Sequence, residues 1–192
     1  MATDPAALPV PTALPFHTRR LTIRPLSLSD VAAMHVVYSD PEVTRFVPGG
    51  VRDAYGTRQR VIDLMAHHDR HGVSKWAVTL TASGALIGDC GLQFLPGRAD
   101  LELGFHFARA YWGHGYATEA ASACLAWALA NRTERVLAIV DPRHETSRRV
   151  LTKLGMQPIG RDQILDRTWI VYESTRHTTP GHLKHRNLRD KI

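Results

Sequence analysis

Ala99 to Asn131 reads ADLELGFHFARAYWGHGYATEAASACLAWALAN. Leu101 to Phe107 alternate apolar and polar side chains, the pattern of a strand with one buried face. From Tyr116 onward Ala117, Ala121, Cys124, Leu125 and Ala128 recur at three- and four-residue steps, which predicts a helix with a narrow face of small residues. Between them lies Trp112-Gly113-His114-Gly115-Tyr116-Ala117-Thr118. A strand, a glycine-containing loop and a helix in that order make an anion site. The glycines let backbone approach a ligand, and the first helical N–H groups point at it with partial positive charge. A phosphate-bearing ligand is expected. No Gly-Lys-Ser/Thr follows, so the loop is not a Walker loop. A dinucleotide fingerprint needs glycine where Thr118 stands and normally sits on the first βαβ unit, whereas this loop lies past mid-chain.

Tyr111-Trp112-Gly113-His114-Gly115-Tyr116-Ala117-Thr118-Glu119-Ala120 resembles the acetyl-CoA pyrophosphate loop of GNAT-superfamily N-acetyltransferases. It is most similar to the branch of ribosomal-protein serine and alanine N-terminal acetyltransferases. Gly113 and Gly115 match the pattern Gln/Arg-x-x-Gly-x-Gly/Ala, and Ala110 stands at its leading position, with Arg109 beside it as the candidate to supply that phosphate contact. The resemblance implies acetyl-CoA as co-substrate, with Gly113, His114, Gly115, Tyr116, Ala117 and Thr118 around its phosphates.

The 192 residues suffice for one domain with a substantial core, and 44% hydrophobic with 22% charged residues fits an ordinary globular protein. A formal charge of +6 suits a polyanionic cofactor; it does not by itself imply nucleic-acid binding. Cys90 and Cys124 have neither CxxC spacing nor metal-like clustering and read as free core thiols in a reducing compartment. No stretch approaches the ~20 apolar residues of a membrane span, and the start lacks a basic n-region, so a cytoplasmic protein is expected.

Residues 1–18 are Pro-rich and read as a flexible arm; residues 176–192 are basic, His-rich and aperiodic, and read as a disordered tail. Between them, 19–175, the pattern predicts the order β-α-α-β-β-β-α-β-α-β-β. That is an α+β fold with a mixed, mostly antiparallel sheet and one parallel crossing at the strand-loop-helix-strand unit. The opening, Arg20-Leu21-Thr22-Ile23-Arg24-Pro25-Leu26 followed by a helix and an Asp40-Pro41-Glu42-Val43 turn, also matches the family. The last two strands could exchange with a neighbour, which leaves a homodimer open.

A second run, Asp141 to Met156, reads as a strand end, a turn and a basic amphipathic helix with Val150, Leu151 and Leu154 on its buried side. It resembles the family's Pro-x-Asn-x-x-Ser-x-x-Val-x-x-Lys-Leu-Gly-Phe/Met motif, which lines the pantetheine arm. Ser147, Val150, Lys153, Leu154 and Gly155 fall on the pattern. His144 replaces the Asn that bonds the pantetheine amide, and Leu151 stands where many members carry a Tyr that protonates the leaving thiolate. Ser147 is then the candidate for that role.

Acetyl transfer to an amine requires a neutral amine, a held thioester, a donor for the oxyanion and an outlet for the thiolate. A lysine side chain has pKa ~10.4 and a protein N-terminus ~7.7–8.0. On the strand Leu101–Phe107, Glu102, Gly104 and His106 share one face. The resemblance implies that this strand splays from Arg135–Val140, leaving amides near Phe105, His106 and Phe107 to bond the pantetheine and polarise the thioester carbonyl. Glu102 is the candidate general base, through water. His106 has a more suitable unperturbed pKa, ~6.5, but lies about 13 Å along the strand from Glu102. His67, His68 and His71 share a helix, only two of them on one face and with no third ligand evident, so no metal is expected. The acceptor amine is open between a protein N-terminus and a small molecule. Two other readings stay open: an acyl-CoA-binding protein without transferase activity, and a dinucleotide-binding enzyme.

Overall fold

Short-range capping signals set the first half of the chain. A computed structural model describes residues 13–95, 97–164 and 166–176. Strand β1 (Phe16–His17) pairs with β2 (Leu21–Arg24), and Ser27 and Asp30 form a capping box that leads through a 3-10 turn into α1 (Val31–Tyr38). Arg24 holds Asp30 with two hydrogen bonds of 2.8 and 2.7 Å. A one-turn helix α2 (Pro41–Thr44) occupies the expected Asp-Pro-Glu-Val turn, because Asp40 accepts from the Glu42 amide and Pro41 is preset for a helix start. Helix α3 (Ala54–His71) starts at the Asp53 cap and stops at Gly72, whose φ of 67° is the left-handed C-cap conformation.

Strands β3 (Lys75–Leu80), β4 (Leu86–Phe94) and β5 (Leu101–Phe107) follow as an antiparallel meander; then come α4 (Tyr116–Asn131), β6 (Arg135–Val140), α5 (Glu145–Lys153), β7 (Gln157–Ile164) and β8 (Arg167–Thr175). Among the described residues they form one eight-stranded sheet in the order β1-β2-β3-β4-β5-β6-β8-β7. The α+β expectation and its single parallel crossing hold: β5 and β6 are the parallel pair, joined by α4. The arm expected over residues 1–18 is shorter than its proline content suggests. Phe16 is buried edge-on against Trp76 at 6.0 Å, so the sheet claims residues 16 and 17. Residues 1–12 and the tail from 177 lie outside the described residues.

The sheet carries a core on each face. On one, α4 lays Ala120, Ala121, Cys124 and Ala128, all fully buried, against Cys90, Leu92, Leu103 and Phe107. Small side chains let this helix approach the strands closely. On the other, α1 and α3 bring Met34, Val37, Tyr38, Val61 and Leu64 over Ala77. No helix among the described residues is long and apolar enough to cross a membrane.

Candidate active site

β4 and β5 stay in register over seven pairs, Gly88↔Phe107 to Phe94↔Leu101, whereas β5 and β6 pair only at Leu101↔Val136 and Glu102↔Leu137. Beyond Glu102 the two central strands diverge, and a cleft of about 670 Å³ opens between them. The Ala108 amide bonds the Ile87 carbonyl on β4, so by ladder alternation the amides of His106 and Gly104 also point to β4. Those of Phe105 and Phe107 point the other way, into the gap. The Phe107 carbonyl agrees, since it turns from β4 and accepts the Trp112 indole N–H at 2.7 Å.

The cleft runs to the start of α4. Gly113 and Gly115 sit at φ 78° and 80°, conformations that L side chains adopt only with strain. Gly115 is the N-cap, no side chain caps the helix, and its first internal bond is Glu119 N–H to the Gly115 carbonyl. The amides of Tyr116, Ala117 and Thr118 therefore lack helical acceptors and form an anion cradle. An acid in this first turn would oppose a phosphate, but Glu119 is occupied. It accepts from Thr18 Oγ1 (2.6 Å), the Arg20 amide (2.8 Å) and Arg20 Nε (2.7 Å). Burial alone would raise the Glu119 carboxyl; Thr18 and Arg20 outweigh it and hold it below its usual range. Arg20 also lies over the Tyr116 ring at 4.5 Å. This arginine, 95 residues before Gly115, pairs with the acid of the helix's first turn, a contact that the loop sequence could not reveal. Arg109, the candidate for the phosphate contact, faces Asp40 at 3.4 Å instead. His114 is exposed, bonded through Nδ1 to the Trp112 carbonyl and stacked on Tyr116, and it is not among the residues that line the cleft.

The opposite wall is the turn into α5. Asp141 accepts from the Arg143 amide and side chain, each at 2.9 Å, with Arg167 at 3.4 Å; the Arg143 bonds bring its carboxyl down to about 2. His144 is the residue before α5, lines the cleft and stacks on Phe46 at 4.6 Å. Burial lowers its pKa, which keeps the ring neutral at neutral pH despite the nearby Asp141. Ser147 lines the same wall one turn on, and Leu151 is buried beneath it.

The floor is the sheet face that carries Glu102, Gly104 and His106. Register places Asp89 beside His106, Gly91 beside Gly104 and Gln93 beside Glu102, with Lys75 next to Gly91 on the far side. His106 Nδ1 bonds Asp89 Oδ1 at 2.8 Å, and the Tyr38 hydroxyl donates a short hydrogen bond to Asp89 Oδ2. Burial by itself would raise the Asp89 carboxyl, but the His106 ring, Lys75 and Tyr38 together hold it below the usual range. Burial and Asp89 push the Tyr38 phenol well up, so it stays a donor. An ionised Asp89 fixes His106 with its proton on Nδ1 and leaves Nε2 as an acceptor. Sequence reading missed Asp89 and Tyr38. The one local signal was an acid at a strand position within the otherwise apolar and glycine run from Ile87 to Leu92.

Thus Glu102, Phe105, His106, Phe107, Gly113, Gly115, Tyr116, Ala117, Thr118, His144 and Ser147 all line one cleft, though they come from three separate segments. Among the described residues no group of three or more His, Cys, Asp or Glu is placed to hold a metal ion.

Known proteins are similar to this chain in sequence and in fold. The uncharacterised protein YkkB of Bacillus subtilis (strain 168) is 34% identical over 143 residues, 72% of this chain and 83% of the relative. A GNAT-family acetyltransferase of Bacillus anthracis superposes with a TM-score of 0.73 at 28% identity, over 84% of this chain and 98% of that one. RimL, a ribosomal L7/L12 α-N-protein acetyltransferase solved with coenzyme A, shares the fold with a TM-score of 0.71 at 15% identity, over 86% and 97% of the two chains. The acetyltransferase (GNAT) domain matches residues 20–157, which take in the splayed strands, the α4 cradle and the floor between them, and the chain belongs to that family.

Proposed function

We propose that this acetyltransferase moves the acetyl group of acetyl-CoA to a primary amine by direct transfer while both are bound. The observation that carries the reading is the β5–β6 splay. It turns the Phe105 and Phe107 amides into a cleft that joins an uncapped helix N-terminus to a floor holding an oriented imidazole. Acetyl-CoA supplies an activated carbonyl and a thiolate leaving group. The amides of Tyr116, Ala117 and Thr118 and the charge of Arg20 suit its phosphates. The Phe105 and Phe107 amides would donate to the carbonyl oxygen as it gains charge.

His106 lies between those two amides in the chain, so its imidazole is nearer to the carbonyl they would hold than Glu102, four residues back. His106 Nε2 then takes the proton that the amine loses as its C–N bond forms. Asp89 positions the ring, and Tyr38 positions Asp89. Glu102, the base expected from sequence, stands where the strands begin to part, farther from that carbonyl than His106. Ser147, on the α5 wall, gives a proton to the departing thiolate, directly or through water.

Calorimetric titration with acetyl-CoA, with NAD as control, followed by thiol release against a panel of amines tests the reading. Acetyl-CoA binding with thiol release on an amine is expected. Binding without release on peptides, polyamines, aminoglycosides and amino acids would mark an acyl-CoA-binding protein instead. Absence of acetyl-CoA binding would overturn the proposal.

A further inference from the structure

The floor of the cleft contains a cation that helps keep Asp89 ionised and touches none of the groups assigned to the transfer. Lys75 is 9% exposed and, among the described residues, no hydrogen bond or ion pair engages its ammonium. Lys75, Gly91 and Gly104 are cross-strand neighbours in one row of the sheet. The two glycines clear that row of side chains, and the lysine stem lies along it. A Cβ added at Gly104 would collide with the end of Lys75, lying 2.6 Å from its Cε, and would lie 3.4 Å from Glu102 Oε1. Gly104 is thus needed for space, and the ammonium is delivered into the cleft between the row of Glu102 and the row of His106.

A second cation reaches the same place from above. Arg60 on α3 donates to Gln93 Oε1 at 2.6 Å and opposes the upward push on the Tyr38 phenol, so it spans the glycine row from the Gln93 side to the Tyr38 side. Arg52 lines this half of the cleft too, and Glu102 is its accessible carboxylate, since Asp89 is fully buried beneath Tyr38 and His106. The three cations Lys75, Arg60 and Arg52 outnumber the two carboxylates Glu102 and Asp89, a balance that disfavours a polyamine. Asp89 and Glu102 lie near this ammonium without a direct hydrogen bond or ion pair to it, so an arriving anion that touches Lys75 makes a contact that no side chain supplies.

Resting on the transferase reading above, we propose that Lys75 and Arg60 form a carboxylate subsite and that the acceptor is a free amino acid. A carboxylate on Lys75 sits over Gly104, two residues or about 6.6 Å along the strand from His106. The α-amine, two bonds from that carboxylate carbon, falls in the space between. A peptide N-terminus presents an amide where the amino acid presents its carboxylate, and leaves Lys75 unpaired.

The test compares thiol release from acetyl-CoA with free amino acids, their carboxamides, dipeptides of the same first residue and a polyamine. Free acids are expected to exceed their carboxamides by about 10²-fold in kcat/KM, mainly through KM. Lys75→Met should shrink that ratio to a few-fold, and Arg60→Gln, less buried, should shrink it partly. Acetyl-CoA titration and thermal melting establish that each variant is folded. As a measurement without turnover, an N-acetyl amino acid titrated into the CoA complex should bind to the parent protein and not to Lys75→Met. Carboxamides, dipeptides or the polyamine matching the free acids, no free amino acid being acetylated, or Lys75→Met lowering acids and amides equally would each overturn the subsite. Those results leave acetyl-CoA binding intact, whereas failure to bind acetyl-CoA brings down the transferase reading itself.

Discussion

The two halves of the cleft are built in different ways. The half proposed for the cofactor consists largely of backbone: the amides turned out by the splay, the free N–H groups of α4 and two glycines at positive φ. The acceptor half consists of side chains from distant segments, with Tyr38, Arg60, Lys75, Asp89 and His106 meeting on one sheet face. A site made of backbone amides depends little on which side chains flank it. Side-chain sites do not share that tolerance, because Tyr38, Asp89, His106 and Arg60 each depend on a specific neighbour.

His106→Asn should test this division most severely. Loss of a general base costs about 10²–10⁴-fold in kcat, while acetyl-CoA affinity by calorimetry should stay within a few-fold. Glu102→Gln should cost less; if it cost more, Glu102 would be the base and the dyad a structural device. Gly115→Val attacks the other half. A β-branched residue at φ 80° strains the N-cap by roughly 1–2 kcal/mol, so acetyl-CoA binding should weaken about tenfold with kcat nearly kept. A variant that moved both parameters together would erase the distinction between the halves.

Smaller effects sharpen it. Arg20→Ala leaves the Glu119 carboxylate facing the anion cradle and should weaken acetyl-CoA several-fold, less so at high salt. Adding Glu119→Gln should restore part of the loss, and titration of both variants reads it. The smallest effect is on pH dependence. Burial depresses the His144 pKa below 6.5, so the folded state binds fewer protons than the unfolded one. The stability from its neutral ring is full above pH 6.5 and declines as pH falls from there toward the folded pKa. His144→Asn should therefore flatten the fall in melting temperature below pH 6.5. A residual slope is expected from His67, which burial also depresses.

Local signals carried far into the structure. The alternation of Leu101–Phe107, the small-residue repeat after Tyr116, the Asp53 and Ser27 caps and Gly72 sit within a few residues of β5, α4, α1 and α3, because hydrogen bonding and periodicity act over one or two turns. The cradle was legible for the same reason, since its glycines and its helix are contiguous. Phe16 was not legible, since proline content described its surroundings while the Trp76 ring that buries it is sixty residues away. Arg20 was equally hidden, as its partner Glu119 is ninety-nine residues distant.

The sequence by itself determined the order of the elements apart from β1 and the one-turn α2, the single parallel crossing and the glycine loop before α4, all of which depend on neighbours in the chain. Tertiary structure alone decided that Asp89 orients His106, that Gly104 leaves room for the end of Lys75, and that Arg60 reaches Gln93. Those contacts depend on strand register and on which helix covers which face. They arise only when the sheet closes and removes the groups from water, where burial turns an ordinary acid, imidazole and ammonium into a site.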